Sequence, residues 1–400
     1  DNRIQEIWQQ VMAKADFTTR RQEVDAWNAS HPQMKRGLAV TPVKFGISFT
    51  LSHYNQAGAY VVIYSDGTVQ VNHGGTEMGQ GLHTKILGVA MRELGLPAVA
   101  IRVMHTSTDK VPNTSATAAS AGADLNGGAV RAACLTLRER MGAVAAKLLA
   151  VAAAGATNNE VKVDIATPMR GEAKLPEIAV ADVVFSGGFV CVAHRPELRV
   201  PFAKVAVRCY IERVSLSATG YYATPGIHWD WKTVSGRPFA YYACGAAVSE
   251  VEVDGYTGMS RVMRVDIVHD VGDSLNPGVD RGQIEGGFVQ GMGWLTSEEL
   301  KWDAKGRLLT HSASTYQIPA IGDAPMEFNV TLLPDATNAH AVHGSKAVGE
   351  PPLMLAISVR EAIRDAVAAF GAPGGQVALE SPATGEAVWR AIRARVGAGG

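Results

Sequence analysis

Two stretches carry residue types at spacings that could do chemistry. The first runs from His73 through Gly74, Gly75, Thr76, Glu77, Met78, Gly79 and Gln80 to Gly81, with four glycines in the eight positions from Gly74. Glycines leave backbone N–H groups unshielded, so an anion or a polar heterocycle can approach them. The helix expected directly behind adds about half a positive charge at its N-terminus. This stretch therefore reads as a ligand seat. The second, from Gly344 through Ser345 and Lys346 to Glu350, Pro351 and Pro352, reads as a turn that sets one carboxylate ahead of a helix start. Glu350 is the sharpest candidate for a base. An acid just before proline is also a natural helix cap, favoured by the dipole. Burial would raise its pKa while the helix end lowered it, and spacing alone leaves capping and proton transfer both open.

Other residues support a seat less directly. Glu77 is expected to play a structural, hydrogen-bonded role within its loop. Gln80, Gln283 and Gln290 carry amides that both donate and accept, which suits a pterin or purine edge, although a solvated surface position is the ordinary fate of a glutamine. Phe49 is either core or a ring lying over a flat substrate. Common signatures are missing. Thr84 stands where a G-x-G-x-x-G loop needs glycine, and there is no Gly-Lys pair for a phosphate loop. Neither H-E-x-x-H nor a Gly-x-Ser-x-Gly elbow occurs, and His340 with His343 reads as surface. Hydrolase and protein-ligated metal readings both weaken.

The elements that must position these residues alternate between strands and helices. A polar helical segment runs to about Asn28, and Val43 to Phe49 reads as a strand. Tyr60–Tyr64 and Thr68–Asn72 flank Ser65, Asp66 and Gly67, a strong hairpin signal. Helical spacing of Leu82, Ile86, Leu87, Ala90 and Leu94 predicts a helix over 82–94, followed by a strand over 99–104. The small-residue stretch from Pro112 to Gly128 has the composition of a linker, yet it lies tightly between a strand and a long helix from about Ala129 to Ala153. Its Ala and Ser run suits close approach of a planar ligand. Lys162 to Ile165 reads as a strand, and 156–201 as the internal boundary. Helices are expected over 202–212, 278–300 and 351–370, and strands over 214–222, 240–253, 260–269 and 326–333. Gly282, Gly286, Gly287, Gly291 and Gly293 within 278–300 make sense only if that helix packs closely against something. The fold class is α+β, mixed sheets with packed helices, with expected subdomains 30–175 and 200–400.

Composition bounds the partners. With 400 residues, 47% hydrophobic, the chain can bury a large core. Lys and Arg total 37 against 38 Asp and Glu, so no net field recruits nucleic acid or a membrane surface. The run from Gly142 to Ala156 is broken by Lys147 and is too short for the roughly 20 residues of a membrane span. Cys134, Cys191, Cys209 and Cys244 are scattered in apolar surroundings and read as buried thiols of a reducing cytoplasm. The chain opens at Asp1 with a helical pattern and no signal peptide, and is expected to be part of something longer.

Longer runs then give a resemblance. Val43 to Thr50, His73 to Lys85, Val111 to Ser120, Val214 to Gly220, Asp273 to Pro277, Gly282 to Gly286 and Ser345 to Pro352 closely resemble the xanthine dehydrogenases and xanthine oxidases, which are molybdenum hydroxylases. The likeness covers roughly residues 34–364 and points to the carboxy-terminal half of their molybdopterin-binding region. It implies hydroxylation of a purine, hypoxanthine or xanthine to urate, with oxygen from water, at molybdenum held by a pterin and by no side chain directly. Met78, Gly79, Gln80, Thr117, Ala119, Ser120 and Gln283 would contact the cofactor, with the metal near Ala119 and Glu350. Phe49, Thr50 and Ala118 would face the substrate, and Glu350 matches the family's general base. The resemblance also implies iron–sulfur clusters, FAD and NAD on a partner chain or domain, and an oligomer. Leu51 and Tyr54 depart from the animal members, and the family's other substrate-anchoring Glu and Arg would lie upstream of Asp1. The alternatives are an aldehyde-oxidising relative and a non-catalytic assembly or storage domain.

Overall fold

The computed structural model describes residues 2–154 and 176–397. Helices α1 (Ile4–Lys14) and α2 (Phe17–Ser30) lead into the long strand β1 (Met34–Ile47). The hairpin β2 (Gln56–Ile63) and β3 (Val69–His73) follows, then α3 (Leu82–Leu94), β4 (Ile101–Val103) and α4 (Gly122–Ala154). Next come β5 (Val183–Ser186), β6 (Phe189–Val192), β7 (Arg195–Pro201), α5 (Phe202–Ile211), β8 (Ser217–Ala223), β9 (His228–Asp230) and β10 (Ser235–Arg237). The remainder holds β11 (Tyr241–Asp254), β12 (Ser260–His269), α6 (Pro277–Thr296), β13 (Glu327–Leu332), α7 (Pro351–Leu355), α8 (Ile357–Ala368) and α9 (Gly385–Gly397). These elements form two compact units. One comprises Asp1–Ile47, Tyr241–Asn338 and Lys346–Gly400, the other Ser48–Ala240 and Ala339–Ser345. The expected subdomains 30–175 and 200–400 are contiguous stretches, and the units are not.

The first unit is built on the sheet β1-β11-β12-β13. β1 pairs antiparallel with β11 along its whole length, from Met34 opposite Asp254 to Ile47 opposite Tyr241, and β12 pairs parallel with β13. Alternate residues of β11 point to opposite faces. Ala247, Val251 and Val253 join a core with Phe288, Leu355, Val359 and Ile363. Cys244, Ala246 and Val248 join another with Ile7, Val11 and Val24. A sheet covered on both faces explains why 241–248 is apolar without alternation. Arg20 reaches this sheet from α2, at 2.7 Å from Glu250 and 2.9 Å from Asp266.

The second unit carries the sheet β4-β3-β2-β8, with α3 and α4 against it. Here the expected hairpin and helix 82–94 form as the sequence predicts. α4 starts at Gly122, well before the expected Ala129, and packs closely at Gly128, where a Cβ would lie 2.6 Å from the Tyr222 ring. The stretch read as a boundary is corrected in part, since residues 183–201 form the antiparallel sheet β5-β6-β7 within this unit. Tight Gly187-Gly188 turn chemistry and short strands hid that sheet from a reading based on period. The expected strand over 162–165 lies outside the described residues. All four cysteines are free and buried, and burial pushes the Cys134 and Cys209 thiols up to about 12. Among the described residues, no helix is long and apolar enough to cross a membrane.

Candidate active site

In the second unit the hairpin delivers the chain into residues 74–81, and α3 begins behind Gly81, its N-cap, at φ 75°. Glu77 folds back over that start. Its carboxylate accepts the main-chain N–H groups of Gly79 (3.0 Å), Gly81 (3.0 Å) and His83 (2.9 Å). Burial raises the Glu77 pKa, but these donors outweigh it and hold the carboxyl below its usual range. Gly75 donates to His73 Nδ1 (3.1 Å), Thr76 to Thr117 Oγ1 (2.9 Å) and Met78 to Gln80 Oε1 (2.5 Å). The expectation of bare glycine amides is thus corrected for Gly75, Gly79 and Gly81, whose N–H groups are taken by His73 and Glu77 of the same loop. The structural, hydrogen-bonded role expected for Glu77 is what the loop shows.

Packing explains two of the glycines. A Cβ on Gly74 would run into the Thr114 side chain, and one on Gly75 would lie 2.8 Å from Asn126 Nδ2. Gly79 differs, because at φ 98° it requires glycine for its backbone while a Cβ there would meet nothing within 4 Å. Beneath the loop, burial and then the neighbouring His83 lower the His73 pKa to about 4. His73 is therefore neutral at pH 7, with Nδ1 as the acceptor and the proton on Nε2.

The Thr76–Thr117 bond ties this loop to the turn 117–120. Ala119 (φ 53°) and Ser120 (φ 52°) are consecutive left-handed residues, between the bonds Ala118 N–H to Ala116 O (3.0 Å) and Ala121 N–H to Ala118 O (3.3 Å). Such backbone costs of order 1–3 kcal/mol per residue and concentrates at ligand sites, where successive N–H groups form a concavity. Ser115 Oγ in turn donates to Gln56 O (3.4 Å). Next to Gln56, buried Asn55 clamps Phe49 on both sides, accepting from its N–H and donating to its carbonyl at 2.8 Å each. Phe49 is half-buried, its ring 5.6 Å from that of Tyr54 at 74°, so it is not a core residue. Met78, Gly79, Gln80, Thr117, Ala118, Ala119, Ser120, Phe49 and Thr50 thus sit on three segments joined by hydrogen bonds.

Glu350 and Gln283 belong to the first unit. Glu350 stands at the N-cap position of α7, yet its side chain makes no capping hydrogen bond. Of the two readings that spacing left open, capping is absent in this structure. The carboxylate is exposed and flanked by anchored chain. On one side Lys346 N–H donates to Val271 O (2.7 Å), Ala347 N–H to the Tyr241 hydroxyl (2.9 Å), and Lys346 Nζ to Asp270 Oδ2 (2.5 Å). His269 beside Asp270 stays neutral, since burial lowers its pKa to about 4. On the other side Pro352 approaches α6, where a Cβ on Gly287 would lie 3.2 Å from it and one on Gly291 would strike the Leu353 carbonyl. The expected close approach of this helix holds for Gly287, Gly291 and Gly293, whereas Gly282 and Gly286 face open space. Gln283, half-buried, lies one turn ahead of Gly287 on α6.

Sequence reasoning missed Asn55, Tyr241 and Asp270, whose roles depend on partners that no local pattern reveals. The positions it named fit an organic cofactor on three counts: the open face at Gly79, the left-handed turn at 119–120 and the exposed Met78. Beyond its bonds to Met78 N–H and Thr76 O, the Gln80 amide keeps a second N–H and a lone pair. Among the described residues, no group of three or more His, Cys, Asp or Glu side chains could hold a metal ion.

The class follows from a family model. That of the molybdopterin cofactor-binding domain matches residues 10–325, and the chain belongs to this family, whose cofactor is molybdopterin. Over 386 residues the chain is 44% identical to the xanthine dehydrogenase/oxidase of Rattus norvegicus, covering 95% of this chain and 25% of that protein. The chain thus spans about a quarter of the length of the curated relatives it matches. Quinoline 2-oxidoreductase from Pseudomonas putida 86 shares the fold with a TM-score of 0.79 and 25% identity, over 98% of this chain and 46% of that one. Aldehyde oxidoreductase from Desulfovibrio desulfuricans ATCC 27774 gives 0.69 at 23% identity, over 97% and 35%.

Proposed function

We propose that this chain is the carboxy-terminal part of the molybdopterin-binding region of a xanthine dehydrogenase, which hydroxylates hypoxanthine and xanthine to urate with water as the oxygen source. The observation that carries the reading is its 44% identity to a xanthine dehydrogenase/oxidase over 95% of the chain. When bound, the molybdenum cofactor supplies the two-electron redox centre. Met78, Gly79, Gln80, Thr117, Ala119, Ser120 and Gln283 hold it. Phe49, Thr50 and Ala118 take the substrate, the Phe49 ring orienting a flat heterocycle while Asn55 fixes its backbone. Glu350 accepts the proton released as water oxygen forms the new C–O bond, and its exposed position just ahead of α7 suits that task.

The electrons must leave through other groups. Iron–sulfur clusters, FAD and NAD are therefore placed on a partner chain or domain, together with the upstream half of the molybdopterin-binding region. The assembly is an oligomer of the cytoplasm. In the holoenzyme, Glu350→Gln is expected to lose turnover with xanthine by about 100-fold or more while retaining molybdenum, in line with the loss of a general base. Near-normal turnover in that variant would rule out the base assignment. Turnover of aldehydes with xanthine untouched would point to the aldehyde-oxidising alternative, and molybdopterin binding without turnover of either to a storage domain.

A further inference from the structure

We infer that the buried Lys346–Asp270 ion pair is the positioning device of the proton-accepting carboxylate, setting where Glu350 emerges from the first unit. The inference rests on Glu350 being the base. Lys346 and Asp270 keep side-chain exposures of only 4% and 1%, with Nζ 2.5 Å from Oδ2. Asp270 is itself fixed, its Oδ1 accepting from Gly272 N–H (2.9 Å) and its own N–H donating to Cys244 O (2.9 Å). The pair therefore ties the segment ahead of the base to the end of β12 and to β11. Residues 346–348 are buried, and only Gly349 and Glu350 surface before Pro351 starts α7.

The chemistry of the pair argues for geometry over stability. Removing two charges from water costs much of what their attraction returns, and apolar replacements of buried pairs are often no less stable. A pair fixed in direction and length does something that packing alone does poorly: it allows one register for the three residues that separate Lys346 from Glu350. A base displaced by about 1 Å from its proton can lose on the order of 100-fold in rate, which makes such an anchor matter to turnover before it matters to folding. Lys346 and Asp270 are thus positioning residues. With side-chain exposures of 4% and 1%, they would act through Glu350.

The test uses the holoenzyme. Removing one partner would leave a buried charge without its counter-ion, so both are neutralised together in Lys346→Met/Asp270→Asn. A second variant, Lys346→Arg, keeps the charge and changes the reach. Both are expected to retain molybdenum content and thermal midpoint. The double variant should lose about 10- to 100-fold in kcat with KM within about twofold, and exchange the amides of 346–350 at least about tenfold faster. Lys346→Arg should lose kcat by a smaller factor. Adding Glu350→Gln to the double variant should cost much less than it does alone, because a misplaced base has little left to lose. Wild-type kcat in both variants, or a kcat loss that follows lost molybdenum rather than exchange at 346–350, overturns the inference alone. Full turnover in Glu350→Gln by itself overturns the base assignment and this inference with it.

Discussion

Glu77→Gln probes the first stretch most directly. The carboxylate holds three main-chain N–H groups, those of Gly79, Gly81 and His83, at 2.9–3.0 Å. A glutamine keeps one acceptor oxygen and turns an NH2 group toward the remaining donors. A hydrogen bond to a charged group contributes about 1.5–3 kcal/mol when buried, and a helix cap about 1 kcal/mol. Glu77 is exposed, and water can replace part of what is lost. The net effect on the loop is therefore about 1–2 kcal/mol, which corresponds to roughly a 5- to 30-fold rise in local opening. Amide hydrogen exchange at Gly79, Gly81 and His83 in the holoenzyme reads this directly, with α4 as the internal reference. The dependence on pH has a fixed sign. The folded pKa of Glu77 is lowered, so its contribution is present above the unfolded carboxyl value and is lost as pH falls through the folded one. The ratio of variant to wild-type exchange should thus be large at neutral pH and shrink toward one in acid. Equal exchange at pH 7, or a ratio independent of pH, would refute the view that the loop is closed by its own carboxylate.

Two glycine substitutions in α6 should separate sharply: Gly291→Ala meets the Leu353 carbonyl and should destabilise by about 1–3 kcal/mol, whereas Gly282→Ala meets nothing and should be neutral or stabilise by up to about 1 kcal/mol. Thermal unfolding of the pair decides it, and equal midpoints would contradict the packing described for α6 and α7. Asn55→Leu removes both bonds to Phe49 and should loosen the ring proposed to orient the substrate. KM for xanthine should rise about 5- to 30-fold, equivalent to about 1–2 kcal/mol, with molybdenum content unchanged; an unchanged KM would dissociate Phe49 from the substrate.

What the chain's own order determined is whatever neighbours can enforce. The hairpin around Asp66 and Gly67 closes because Asp66 accepts the Thr68 N–H (2.9 Å) and Gly67 sits at φ 86°. α3 spans Leu82–Leu94 because its apolar residues recur at helical period and Gly95 ends it at φ 62°. In the same way, the hydrogen-bonded role of Glu77 is met by donors within six residues of it. Even the family was legible, because motif types and their spacing survive without coordinates.

Only tertiary structure decided the rest. β1 finds β11 some two hundred positions later, which divides the chain into units that no contiguous boundary could describe. The glycine loop looked like an open anion seat because composition counts amides and cannot see which side chain folds back to take them. Whether the Glu350 carboxylate caps its helix turned on a side-chain direction that spacing leaves free. Asn55 on Phe49 reaches only six positions, yet nothing in the residue types distinguishes it from a solvated asparagine. Asp270 and Lys346 meet across 76 positions, and long-range pairs of that kind are fixed by how sheets and helices pack rather than by any local preference.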